Sequence, residues 1–65
     1  MKIKYFPQTD SLYIELRDSD IVETRDIDEN TQAELDAQGA MCGITIEHAS
    51  RRTDIPNLSF EQVAA

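Results

Sequence analysis

The sequence predicts a mostly β (α+β) domain: an antiparallel meander of four to five strands with a short C-terminal helix or turn. Two stretches carry that prediction. Residues 33–50, AELDAQGAMCGITIEHAS, hold two alternating runs either side of Gly39. In residues 11–17, Leu12, Ile14 and Leu16 alternate with Ser11, Tyr13, Glu15 and Arg17. A strand turns every second side chain to the same face, so each run has an apolar and a polar side.

Lys2 to Phe6, with Ile3 and Tyr5 on one face, reads as a first strand. Pro7 to Ser11 is turn chemistry, because proline fixes φ and removes a ladder donor while the polar residues bond their own backbone. Ser11 to Arg17 is the clearest strand, and Asp18 to Asp20 makes the next turn. Ile21 to Asp28 alternates without a clean apolar face, as expected of an edge strand whose charges discourage unwanted pairing. Asp28 to Asn30 then returns the chain to the hairpin. There Gly39 supplies the positive φ of a short loop. Cys42, Ile44 and Ile46 share a face, and Gly43 between them signals a bulge or a close approach.

After Ser50 the alternation stops, and Pro56 blocks a further strand. Ser59 and Gln62 have capping-box spacing, and Leu58 with Val63 has the spacing of a hydrophobic staple. The expected helix is short and must dock to persist, with Phe60 and Val63 as its anchors on the sheet. The whole chain, 1–65, reads as one domain, with a sheet over 2–49 and a tail or short helix over 50–65.

At 65 residues, buried apolar area and ordering entropy nearly cancel. No disulfide can form within the chain, because Cys42 is alone. A homodimer that buries the apolar face, face to face or edge to edge, is therefore expected. The first ten residues lack the apolar core of a secretory signal. No apolar run approaches the ~18 residues of a membrane helix. The expected location is the cytoplasm, with no membrane partner.

The net charge is −7, and between Asp10 and Asp36 ten acidic residues stand against Arg17 and Arg25 alone. Binding to nucleic acid rests largely on Lys and Arg neutralising phosphates, so direct nucleic-acid binding is not expected. A basic protein partner fits this balance, with Asp18, Asp20, Glu23, Asp26, Asp28 and Glu29 as the candidate interaction surface. The alternative is a solvated face that keeps a small protein dispersed.

No catalytic, cofactor or metal constellation emerges. The cluster Asp26-Ile27-Asp28-Glu29-Asn30 starts like a calcium loop, but Thr31 and Ala37 stand where glycine and glutamate are required. Cys42 reads as a buried, inert thiol. His48, the single histidine, is expected to continue the Cys42, Ile44, Ile46 face as a structural or pH-sensitive interface residue. Cys42 and His48 are the candidate interface or ligand residues. They lie about 20 Å apart along an extended strand, at ~3.3 Å per residue. Only a bend or a second subunit would join them as an enzyme's reactive pair.

Tyr5 followed by Asp10, then Leu12-Tyr13-Ile14, Leu16, Thr24, Gly39, Gly43-Ile44, Ile46 and Ala49-Ser50 form an ordered series. Over roughly residues 3 to 50 this series resembles a small bacterial family, domain of unknown function 2283. The resemblance implies a compact, mostly β domain from bacteria or their phages, and no activity. Two departures stand out. Thr45 occupies a position that is commonly acidic in the family, and Ala37 and Gln38 make the turn before Gly39 less acidic. From the residues themselves the leading expectation is an interaction domain, antitoxin-like or inhibitor-like, that binds a basic protein. A self-associating structural domain is the first alternative, and a small enzyme or ligand-binding domain using Cys42 and His48 across an interface is the second.

Overall fold

A computed structural model describes residues 1–64. Five strands form one antiparallel sheet: β1 (Lys2–Phe6), β2 (Ser11–Glu15), β3 (Glu23–Asp28), β4 (Thr31–Leu35) and β5 (Met41–Glu47). A four-residue helix, α1 (Ala49–Arg52), follows. This is the mostly β architecture that the alternation predicts, and Gly39 takes the positive φ expected of it, 79°.

The strand order is β1-β2-β5-β4-β3. The last strand in sequence is therefore the middle strand in space, flanked by β2 and β4. Residues 16–22 carry the chain from β2 past the β4–β5 turn to the far edge. Backbone bonds fasten that crossing: Leu16 and Arg17 N–H donate to Cys42 O at 2.9 and 3.3 Å, and Val22 N–H donates to Leu35 O at 2.9 Å. As its unresolved alternation suggests, β3 is an edge strand and is exposed along its whole length.

Residues paired across antiparallel strands share a face. One face carries the row Ile3, Ile14, Ile44, Ala33 and the row Tyr5, Leu12, Ile46, Thr31. The other carries Lys4, Tyr13, Thr45, Gln32, Asp26 and, beside it, Lys2, Glu15, Gly43, Glu34, Thr24. The buried apolar residues are small or medium: Ala33, Leu35, Cys42 and Ala49. The larger apolar side chains of the first face, Leu12, Ile14, Ile44 and Ile46, are only half-buried.

Two expectations are corrected. No helix starts at Ser59: residues 57–64 have no regular structure, and Phe60 and Val63 are 80% and 73% exposed. A segment this short closes too few turns to offset helix nucleation, so spacing suited to a cap has nothing to cap. The short helix lies ten residues earlier. His48 does not continue the strand face either. Strand β5 ends at Glu47, and His48 turns to φ 54°, ψ 42° to start α1, where it is exposed.

Candidate functional site

At one end of the sheet, Asp10 joins three segments. Its Oδ1 accepts from the Tyr5 hydroxyl at 2.7 Å and from the Ser50 N–H at 3.0 Å, and its Oδ2 accepts from the Ser50 hydroxyl at 2.7 Å. Its carbonyl accepts from Ala49 N–H at 2.9 Å. His48 makes no side-chain cap bond, so Asp10 caps α1 from 40 residues away. A carboxylate satisfying the second N–H of a helix is ordinary capping; here the cap is supplied by a hairpin turn. Asp10 itself has φ 53°, a region that aspartate tolerates better than most side chains. The Tyr5 hydroxyl, then Ser50, hold the Asp10 carboxyl below its usual range, and the same Tyr5–Asp10 bond raises the Tyr5 hydroxyl.

At the other end, Asp36 closes the β4–β5 turn. Its Oδ1 accepts from the N–H groups of Gln38 and Ala40 at 2.9 and 3.0 Å, and Arg17 donates to its Oδ2 at 2.6 Å. Arg17 belongs to the crossing segment, so this ion pair pins that segment to the turn. The Ala40 N–H leads in holding the Asp36 carboxyl below its usual range, against a burial effect that raises it.

On the polar face, Tyr13 lies across Gly43. A Cβ on Gly43 would stand 2.5 Å from the Tyr13 hydroxyl oxygen and 3.0 Å from two ring carbons. Gly43 is thus the close approach its sequence position suggests, and a register shift at Glu34–Leu35 lies opposite. Glu34 is buried beside it. One of its carboxylate oxygens accepts from the Thr45 hydroxyl at 2.7 Å, while Oε2 is buried without a partner. Burial first, then the nearby Glu34 and Glu15 carboxyls, push the Tyr13 hydroxyl up. The phenol therefore keeps its proton and is a poor base.

Cys42 is 1% exposed, and its thiol donates to Glu34 O at 3.4 Å. His48 lies outside the strand that carries Cys42, so one chain does not assemble them into a pair. No group of three His, Cys, Asp or Glu residues suited to a metal occurs among the described residues. The six acids Asp18, Asp20, Glu23, Asp26, Asp28 and Glu29 are all exposed, along the β3 edge and the loops at its ends. Three are engaged: Glu23 with Arg25 at 3.0 Å, Asp28 with Arg52 at 3.6 Å, and Asp26 with the Gln32 amide at 3.2 Å.

On the apolar face, residues 53–58 cross the β1–β2 side and leave a groove of about 360 Å³. Its apolar lining comes from Ile3, Leu12 and Ile14 of the sheet and Ile55, Pro56 and Leu58 of the crossing segment. Alternation signalled the sheet side of this groove, Ile3, Leu12 and Ile14, but not the crossing segment, because residues 53–58 have no periodicity. No helix among the described residues is long and apolar enough to cross a membrane.

The chain belongs to a family of proteins of unknown function, DUF2283, whose model matches residues 2–50. No curated protein and no solved structure matches it. Six of the residues that carry the family resemblance meet at two of the places just described. Tyr5, Asp10, Ala49 and Ser50 form the capped corner, and Tyr13 and Gly43 form the close approach.

Proposed function

We propose that this family member is a protein-interaction module whose apolar sheet face is covered by a second copy of the chain. One observation carries the reading. The protomer exposes 5118 Å², whereas a compact monomer of 7.4 kDa exposes about 4,200 Å². The excess, about 900 Å², includes the exposed residues 57–64 and is comparable to the ~800 Å² that each partner hides in a standard interface. The half-buried Leu12, Ile14, Ile44 and Ile46 supply the apolar centre that such an interface needs. Light scattering at micromolar concentration tests it: a mass of two chains is expected, and a mass of one chain rejects the reading.

A second reading is favoured by the six exposed acids gathered at one edge. They form a surface for a basic protein, in the manner of an antitoxin or inhibitor. Such a complex weakens as ionic strength rises. One basic protein recovered in near-equal amount at low salt, and lost both at high salt and on Asp18→Lys/Asp20→Lys substitution, supports it. Recovery of the chain alone leaves self-association as the whole function. A reaction using Cys42 and His48 has the least support, since the Cys42 thiol is enclosed within its own chain.

A further inference from the structure

We propose that the polar face of the sheet holds a site for an aliphatic primary ammonium, the chemistry that a free amine shares with a lysine side chain, and that Glu34 anchors it. This face is opposite the one assigned to a second copy, so the site stands apart from that reading. Glu34 is 8% exposed. Its Oε1 accepts from the Thr45 hydroxyl at 2.7 Å, while its Oε2 is buried without a partner. A carboxylate oxygen withdrawn from water is costly unless a donor or a cation meets it. The chain brings none. Among the described residues, no Lys or Arg forms an ion pair with Glu34 or Glu15, and Lys2, opposite Glu15 on the edge strand, is exposed.

The register supplies the rest of the site. Glu15 and Glu34 stand opposite Gly43 from its two sides. Glycine leaves the floor between the two carboxylates bare, and Tyr13 lies across it. Among the described residues no hydrogen bond holds the Tyr13 hydroxyl down, so the ring is a lid that lifts without breaking one. Beneath it, Glu34 Oε2, the Glu15 carboxylate and the Tyr13 hydroxyl oxygen are three acceptors around one space. An alkylammonium has three N–H donors to match them, and the aromatic ring lies favourably against its charge. A guanidinium fits less well, because its fork prefers both oxygens of one carboxylate and Thr45 already holds Oε1. Calcium or magnesium needs about six oxygens, and no group of three metal-binding side chains occurs among the described residues.

The test uses the full, isotope-labelled chain and n-butylammonium as the probe. Saturable shifts of the Tyr13, Glu34 and Gly43 amide resonances are expected. A weaker response is expected to butyltrimethylammonium, which carries the same charge and no N–H donor. Glu34→Gln keeps an acceptor for Thr45 and removes the charge, so the dissociation constant is expected to rise about tenfold or more. Should circular dichroism show that variant unfolded, Glu15→Gln at a half-buried position decides in its place, with a smaller rise expected. A lysine tripeptide, blocked at both ends, that binds more tightly than n-butylammonium identifies a protein's lysine as the source, and equal or weaker binding identifies a free amine. Absent saturable shifts, equal responses to the two cations, or a dissociation constant unmoved by the deciding variant overturn the site and leave Glu34 a structural residue alone.

Discussion

At one end of the sheet Asp10 gathers three neutral donors, two of them from Ser50, 40 residues away. At the other end Asp36 gathers two N–H groups from its own turn and one guanidinium from Arg17. Both carboxyls are held below their usual range, and both close a corner. They differ in what depends on them. The Asp36 turn keeps two backbone bonds of its own, Asp36 N–H to Ala40 O at 2.9 Å and Gly39 N–H to Asp36 O at 3.0 Å. At the Asp10 corner a single backbone bond, Ala49 N–H to Asp10 O at 2.9 Å, joins α1 to the first hairpin, and the side chain adds three more between separate segments. One aspartate reinforces a turn within its own hairpin, and the other reinforces a tertiary junction.

The sharpest test is the pair of alanine substitutions. Asp10→Ala removes three side-chain bonds and puts alanine at a positive φ, so the melting temperature is expected to fall by roughly 10 °C or more, with α1 released. Asp36→Ala is expected to cost about half as much, because its turn keeps two backbone bonds and no alanine is placed at a positive φ. Equal losses in thermal melts would erase the distinction between junction and turn.

The asparagine pair should reverse that order. In Asp10→Asn the amide oxygen still accepts from Tyr5 and the Ser50 N–H, and the amide nitrogen donates to the Ser50 hydroxyl. A small loss is expected. In Asp36→Asn the amide nitrogen faces the Arg17 guanidinium, donor against donor, so the crossing segment loses its pin. The Arg17 side chain is 52% exposed, and the pair is screened by salt. Wild-type stability is therefore expected to decline slightly between low and high salt, and Asp36→Asn is expected to lose that dependence while Asp10→Asn keeps it.

The smallest effects are in the pH profile. Asp10, Asp28 and Asp36 are lowered from 3.8, so their contribution is present above that value and is lost as pH falls through the lower folded values. Tyr5 and Tyr13 are raised from 10.0, so theirs is present below 10.0 and is lost as pH rises through the higher folded values. A plateau bounded by an acid and an alkaline limb is expected in denaturant titrations. Tyr5→Phe should soften the alkaline limb and Asp36→Asn the acid limb alone.

Much of the sheet was legible because alternation reports faces directly. Leu12, Ile14, Ile44 and Ile46 lie on one face as their spacing requires, Gly39 turns the hairpin, and the charged β3 is an edge. Alternation says nothing of neighbours, so the insertion of β5 between β2 and β4 could not be read from it. Nor could the Asp10–Ser50 junction: both residues stood out in the family series, but no local rule pairs positions 40 apart. Glu34 alternates with the apolar Ala33 and Leu35, a pattern that gives no sign of its burial. It is buried because Tyr13 leans across Gly43, a contact between strands that a single-strand pattern does not contain. Ser59 and Gln62 misled for the opposite reason, since a capping signal is local and the helix it announces needs tertiary support.

The central position of β5 also dictates how the molecule comes into being. A ribosome releases the N-terminal strands first, as two separate hairpins, β1–β2 and β3–β4. Isolated two-stranded hairpins are marginal in water, and each here waits with an unpaired edge for a strand not yet made. Closure of the sheet must follow synthesis of Met41–Glu47, with Ser50 arriving three residues later to meet Asp10. The fold is therefore completed from its C-terminal side, and a nascent chain arrested before residue 41 carries every strand but the one that unites them.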